Sequence, residues 1–233
     1  NSDLVLSTGE QISIGLMSLI LNNKRVKSKT WTAWQVPILT NNDYGKARIK
    51  SIPTKNIMDS FKYYDVAIVA GFQGLSEENT ITTLGRGGSD TTAVAMAAAF
   101  KAKQCNIYTD VEGVYSANPS IVSSAKKIDD LTYEEMLEMS SLGAKVLQTR
   151  SVELAMKYNV TIQVLSSQID KPGTFVVNEE KKMEKELVSG ISFSKDEAKI
   201  TIVGLPDKPG VSASIFGPLA TANINVDMIV QNV

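Results

Sequence analysis

The stretch Thr82-Thr83-Leu84-Gly85-Arg86-Gly87-Gly88-Ser89-Asp90-Thr91-Thr92 decides how this chain is read. Three glycines in four positions let backbone N–H groups approach an anion closely. Ser89 or Asp90 then caps a helix running to about Ala102, so the loop amides stand at the positive end of a helix. One arginine, Arg86, inside such a loop suits two-point binding of a carboxylate or phosphate. Taken alone, the segment serves equally as an anion site or as a tight loop with a helix cap. It is not a dinucleotide fingerprint, because Asp90 stands where the third glycine would be. It is not a Walker A loop either, since no Gly-Lys-Ser/Thr occurs in the chain.

Working outward, Asp65 to Ala70 is a short apolar run ending in Gly71 and reads as a buried parallel strand. Gly71 to Gly88 reads as loop. The helix after it is apolar nearly all round and should be buried on most faces. Asn106 to Thr109 reads as a strand closed by Asp110 and a turn at Gly113. Leu131 to Met139 is an amphipathic helix in which Thr132 and Glu135 have capping-box spacing. Gln148 to Tyr158 reads as a helix, and Val160 to Leu165 as a strand of mostly β-branched residues. Upstream, Ile14, Met17, Ser18 and Leu21 recur at helical spacing, so Glu10 to Leu21 is a helix with Ser7-Thr8-Gly9-Glu10-Gln11 ahead of it. Strands alternating with helices predict an α/β domain with a mostly parallel sheet over residues 1–178.

Residues 179–190 form a charged linker: from Glu179 to Glu186, seven of eight residues are charged. The pattern restarts over residues 191–233. Lys199 to Val203 reads as a strand, Asp207-Lys208-Pro209-Gly210 as a turn, Val211 to Ala222 as a helix and Val226 to Val230 as a strand. Two strands and one helix do not bury both faces of a sheet, so more chain or a partner is expected to complete this unit.

Composition narrows the chemistry. Of 233 residues, 43% are apolar, enough for a sizeable core. Lys plus Arg is 24 and Asp plus Glu is 25, so no excess positive charge argues for nucleic acid or an acidic membrane surface. Histidine is absent, which excludes histidine-activated nucleophiles, a histidine general base and an H-E-x-x-H zinc site. The single Cys105 excludes an internal disulfide and a thiolate zinc cluster, and a reducing cytoplasm is the simplest setting. The longest apolar run, Ala93 to Phe100, is eight residues, far short of a membrane span.

Further segments share the order and spacing of a known family. Ser7-Thr8-Gly9-Glu10-Gln11, Gly45-Lys46-Ala47-Arg48, Gly85-Arg86-Gly87-Gly88-Ser89-Asp90-Thr91-Thr92, Thr109-Asp110-Val111-Glu112-Gly113-Val114-Tyr115 and Ser141-Leu142-Gly143-Ala144-Lys145-Val146-Leu147 together resemble the aspartate kinases of the amino acid kinase family. From about Ile191 the tail resembles an ACT domain, through Asp207-Lys208-Pro209-Gly210 and Asn223-Ile224-Asn225-Val226-Asp227. Family members open with a K-F-G-G-T-S strand and carry two ACT modules. The chain shows neither in full, so it is expected to be truncated at both ends. Gln148-Thr149 stands where His-Pro is common in the family, and Ser120 follows Pro119 where many members have an arginine.

The resemblance implies a three-layer α/β/α, carbamate-kinase-like domain followed by part of a ferredoxin-like ACT domain. It implies transfer of the γ-phosphoryl group of ATP to the side-chain carboxylate of L-aspartate, the first step of lysine, threonine and methionine biosynthesis. A carboxylate nucleophile has an ordinary pKa of about 3.9 and is ionised at neutral pH. No general base is required, and the work is positioning and charge neutralisation. Glu10, Arg86, Gly87, Gly88 and Ser89 are the implied aspartate site. Asp90 is the implied catalytic residue, pairing with the family's lysine. Thr109, Asp110, Tyr115 and Lys145 are the implied ATP site. Mg²⁺ is implied with ATP, held by phosphates and water rather than by a protein cage. Asp207, Asn225, Val226, Asp227 and Gln231 are the implied effector site, for lysine, threonine or both. The resemblance further implies a homo-oligomer through ACT domains, with or without a separate regulatory subunit. The alternatives are another amino acid kinase, acting on glutamate, acetylglutamate or UMP, and a non-catalytic amino-acid-sensing chain.

Overall fold

The structure is a computed structural model. It describes residues 2–178, 188–193, 198, 200–204, 206, 208–222, 224, 226 and 229. The chain divides into two units, residues 1–194 and 195–233.

The first unit opens with helix α1 (Ser2–Asn23). Strands β1 (Ser28–Trp31), β2 (Leu39–Thr40) and β3 (Ile49–Ser51) follow, then helix α2 (Lys55–Ser60). Next come β4 (Val66–Val69), the hairpin β5 (Gln73–Leu75) and β6 (Ile81–Thr83), and helix α3 (Gly88–Ala99). Strand β7 (Cys105–Thr109), β8 (Asp130–Thr132), helices α4 (Tyr133–Ser141) and α5 (Thr149–Tyr158), and strands β9 (Ile162–Ser166) and β10 (Thr174–Val177) complete the unit. Three sheets result, ordered β1-β4, β3-β2-β5-β6 and β7-β9-β10-β8. Parallel pairing joins β1 to β4, β2 to β5, β7 to β9 and β8 to β10. Antiparallel pairing joins β2 to β3, β5 to β6 and β9 to β10. The α/β reading therefore holds, with the sheets mixed rather than uniformly parallel.

The main core lies between α3, α4, α5 and the β7-β9-β10-β8 sheet. Val94, Ile107, Leu131, Met136, Val152, Ile162 and Val176 are among its buried residues. Strand β9 alternates buried and half-buried positions, the period-two pattern of a strand with one core face. A second cluster of Trp31, Val36, Ile38 and Ile57 packs with Met96 and Phe100 of the α3 end. Because α3 carries apolar residues all round, it serves both clusters at once.

Several elements differ from the sequence expectation. Helix α1 begins at Ser2, so Ser7 to Gln11 lies inside the helix rather than ahead of it. By length and composition α1 would pass for a membrane-crossing helix. It packs on β1, β4 and β6, and buried Asp3 is bonded to Gly45 and Thr83. The segment read as loop, Gly71 to Gly88, contains the β5–β6 hairpin, whose turn uses Asn79 at φ 58 and a bond from the Thr80 N–H to the Ser76 hydroxyl. Leu131 belongs to β8, and the helix starts one residue after its Thr132 cap. The N-cap of α3 is Gly87, at φ 67, and not Ser89 or Asp90, which occupy the first turn.

The second unit, by itself, contains helix α6 (Val211–Thr221), capped by Gly210 at φ 93 after the predicted turn. Its helix agrees with the sequence reading. Ile200 to Val203 is not in a strand, contrary to expectation. Of the expected strand from Val226 to Val230, only Val226 and Ile229 fall within the described residues, and neither is in a strand.

Candidate active site

The glycine-rich segment is a turn locked from below. The Gly88 N–H bonds the Gly85 carbonyl, and the Thr91 and Thr92 hydroxyls return to the Gly87 and Gly88 carbonyls. Gly85 at φ 80 and Gly87 at φ 67 occupy the left-handed region that a side chain disfavours. Gly87 has a second constraint: an added Cβ would stand 1.9 Å from Cγ of Gln148.

The loop faces α1 across a cavity of about 450 Å³ lined by Gly9, Glu10, Phe72, Arg86, Gly88 and Ser89, among others. Within it, the Ser89 hydroxyl donates to Oε1 of Glu10 at 3.1 Å. Glu10 reaches this position because α1 runs under the loop. Gln73 of β5 fixes that placement: its amide donates to the Ser7 carbonyl and its Oε1 accepts from Gln11. Arg86 and Ser89 are exposed, and Glu10 is half-buried. The predicted substrate residues Glu10, Arg86, Gly87, Gly88 and Ser89 are thus brought to one cavity. The arrangement offers a guanidinium and a serine hydroxyl for a carboxylate beside a carboxylate for an ammonium group.

Asp90 follows in the first turn of α3. Burial pushes its carboxyl above the ordinary carboxylate range, and the Gln148 backbone N–H, which bonds it, pulls the other way. Gln148 is the N-cap of α5, so the start of α5 touches both Gly87 and Asp90.

Of the predicted nucleotide residues, Thr109 and Asp110 stand at the C-terminal end of β7. Thr109 ends β7 and its hydroxyl donates to the exposed Asp110 carboxylate at 3.1 Å. Tyr115 pairs with Lys127 in an isolated bridge. The turn between them is held by Thr174, whose hydroxyl accepts from the Val114 N–H and donates to the Ile128 carbonyl. Lys145 is exposed in the loop between α4 and α5. The contacts present join Thr109 to Asp110 and do not join Lys145 to either. Ser120 is exposed. Among the described residues, no group of three or more acidic, histidine or cysteine side chains is arranged to hold a metal ion. Asp207, Asn225, Asp227 and Gln231 of the implied effector site lie outside the described residues. Val226 is described and exposed.

Sequence reasoning missed the residues that hold the loop. Asp3, 4% exposed, accepts from the Gly45 and Thr83 N–H groups through one oxygen, at 2.9 and 2.8 Å. Arg150 donates to the Leu84 carbonyl at 2.9 Å and to the Ala47 carbonyl at 2.8 Å. Burial, and then neighbouring Arg48, push the Arg150 guanidinium down from its ordinary value, partly offset by Glu153. Neither residue carries a local signal, because their partners are backbone groups distant in sequence.

Residues 1–166 match the model of the amino acid kinase family, and residues 200–233 match an ACT domain. The aspartate kinase of Pseudomonas fluorescens (strain SBW25) is 55% identical over 232 residues, 99% of this chain and 56% of that protein. The chain spans about half the length of the curated relatives it matches. Two solved structures of E. coli aspartokinase III superpose on it at 29% identity, each covering 99% of this chain. One, with aspartate and ADP in the R-state, has a TM-score of 0.78 and is covered over 52% of its length. The other, with lysine and aspartate in the T-state, has a TM-score of 0.76 and is covered over 53%. The fold, the loop and the sequence agree with one assignment, that this chain belongs to the amino acid kinase family.

Proposed function

We propose that this chain supplies the substrate site of an aspartate kinase, which phosphorylates the side-chain carboxylate of L-aspartate with ATP to give 4-phospho-L-aspartate. The observation that carries the reading is the pairing of Glu10 with Ser89 in a cavity shared with Arg86 and the loop glycines. A free amino acid presents both an ammonium and a carboxylate, and this cavity offers a partner to each. Arg86 grips the α-carboxylate in a two-point pair, with Ser89, Gly87 and Gly88 beside it. Glu10 takes the ammonium group. Asp90 is the catalytic acidic group, and its burial suits a role in pairing with a lysine cation. Thr109, Asp110, Tyr115 and Lys145 form the ATP side. Mg²⁺ comes with the nucleotide, held mainly by phosphate oxygens and water.

The remaining proposals follow the family. The catalytic domain takes residues 1–178, a charged linker residues 179–190 and an ACT module residues 191–233. Asp207, Asn225, Val226, Asp227 and Gln231 bind an amino-acid effector, lysine or threonine, and the modules pair between chains in a cytoplasmic oligomer. The lysine-bound T-state relative and the match to an ACT domain support this.

The test uses a protein of the relatives' length carrying this sequence. With ATP and Mg²⁺ it should release ADP only when L-aspartate is present. Arg86→Lys, which keeps the charge but loses the planar fork, should raise the KM for aspartate strongly and leave that for ATP nearly unchanged. ADP release that follows glutamate, acetylglutamate or UMP instead overturns the reading.

A further inference from the structure

We propose that Arg150 is a positioning residue for the substrate loop, acting with Asp3 as a paired clamp on its backbone; this rests on the aspartate-kinase reading above. The segment 45–47 runs beside 83–84, joined directly by one backbone bond from the Ala47 N–H to the Thr83 carbonyl at 2.9 Å. Two charges, buried Asp3 and half-buried Arg150, reinforce that single bond. Asp3 accepts one N–H from each segment, Gly45 and Thr83. Arg150 donates to one carbonyl of each, Ala47 and Leu84. An anion therefore gathers two donors and a cation gathers two acceptors, in the same pair of segments. Bonds to charged groups are the stronger class.

The consequence falls on Gly85. Peptide bonds in the described chain are trans, so the Gly85 N–H points opposite to the Leu84 carbonyl. With that carbonyl held on Arg150, the Gly85 amide is aimed away from Arg150. The left-handed φ of 80 at Gly85 starts from a fixed peptide plane. Arg86 follows immediately, one residue beyond this plane. Arg150 lies on α5, whose N-cap, Gln148, meets Gly87 and Asp90. One helix end thus supports the loop at Leu84, Gly87 and Asp90. Arg150 is half-buried, and both carbonyls it binds lie at the base of the loop.

The test compares Arg150→Lys and Arg150→Gln with the unmutated protein at the relatives' full length. Lys keeps the charge and loses the two-point fork; Gln loses both. Each should raise the KM for aspartate by about tenfold or more while the KM for ATP stays within about twofold. A protein that is merely less folded would lose kcat with both KM values unchanged, and that result overturns the proposal. Wild-type kinetics in Arg150→Lys with impairment in Arg150→Gln would mean that charge alone matters, and overturns it also. Hydrogen exchange on the unmutated protein needs no variant: aspartate should slow exchange in residues 44–48 and 84–89 together, and protection confined to 84–89 counts against the clamp. If the unmutated protein shows no aspartate-dependent ADP release, the functional reading fails and this inference with it. If it does, and both variants match it, only the inference fails.

Discussion

Gln148 and Gly87 are in close contact across the start of α5 and the start of α3: a Cβ on Gly87 would stand 1.9 Å from Cγ and 2.5 Å from Cβ of Gln148. The contact is not with the free end of a side chain, so it does not relax by a simple rotamer change.

Gly87→Ala is therefore expected to be costly twice over. The left-handed backbone costs about 1–2 kcal/mol for a residue with a Cβ, and forced overpacking about 1–3 kcal/mol more. Adding Gln148→Gly should recover the steric share and leave the backbone share. Thermal unfolding of the two single variants and the double variant checks this. Strict additivity would mean that the two residues do not meet.

Cys105 is buried in the main core, 6% exposed. Burial, and then the nearby Asp90 carboxylate, push its thiol up to about 11. At pH 8 the thiolate fraction should be lower than that of a free thiol by roughly two orders of magnitude. A disulfide reagent should modify the folded protein slowly and the denatured protein at once. Rapid modification of the folded protein would contradict this burial.

What the sequence made legible was local. The capping box at Thr132 and Glu135 is present as spaced, each side chain bonded to the other's backbone N–H. The run from Val66 to Val69 forms a parallel strand as expected, paired with β1, but its residues are half-buried rather than buried. The glycine loop and its helix stand where the motif placed them. Other features resisted because the deciding contacts are long-range. Asp3 and Thr83 are bonded across 80 positions, and Arg150 and Ala47 across 103. The Gly, Ser and Glu content of residues 71–88 concealed a hairpin, since short strands with a polar turn have the composition of loop. Glu10 lines the cavity but sits mid-helix rather than ahead of a helix, and the Gln73 bonds to Ser7 and Gln11 hold that part of α1.

The capping box gives the most direct stability prediction. Thr132→Ala leaves the Glu135 N–H without its side-chain acceptor. Loss of about 1 kcal/mol is expected, a fall in Tm of about 2–4 °C for a domain of this size. Aspartate and ATP KM values should not move, because neither residue lines the cavity. A Tm unchanged within error would show that the α4 start is held by packing of buried Tyr133 and Met136 alone.

The last prediction concerns Asp90 and pH. Its carboxyl is raised in the fold, chiefly by burial, while in the unfolded chain it titrates near about 3.9. Between those two values the folded state holds more protons than the unfolded state. Stability then falls as pH rises through that window and stays lower above it. Asp90→Asn removes the titration and keeps the shape, so the Tm of the variant should gain on that of the unmutated protein as pH is raised from about 4 to 7. The Gln148 N–H opposes the effect by favouring the ionised form, but burial is the larger influence. A Tm difference that moved the other way with pH would mean that the hydrogen bond outweighs burial. Under the proposed function, the same substitution should abolish phosphoryl transfer. Greater stability with lost activity in one variant is the pattern expected of a charge retained for chemistry at a cost to the fold.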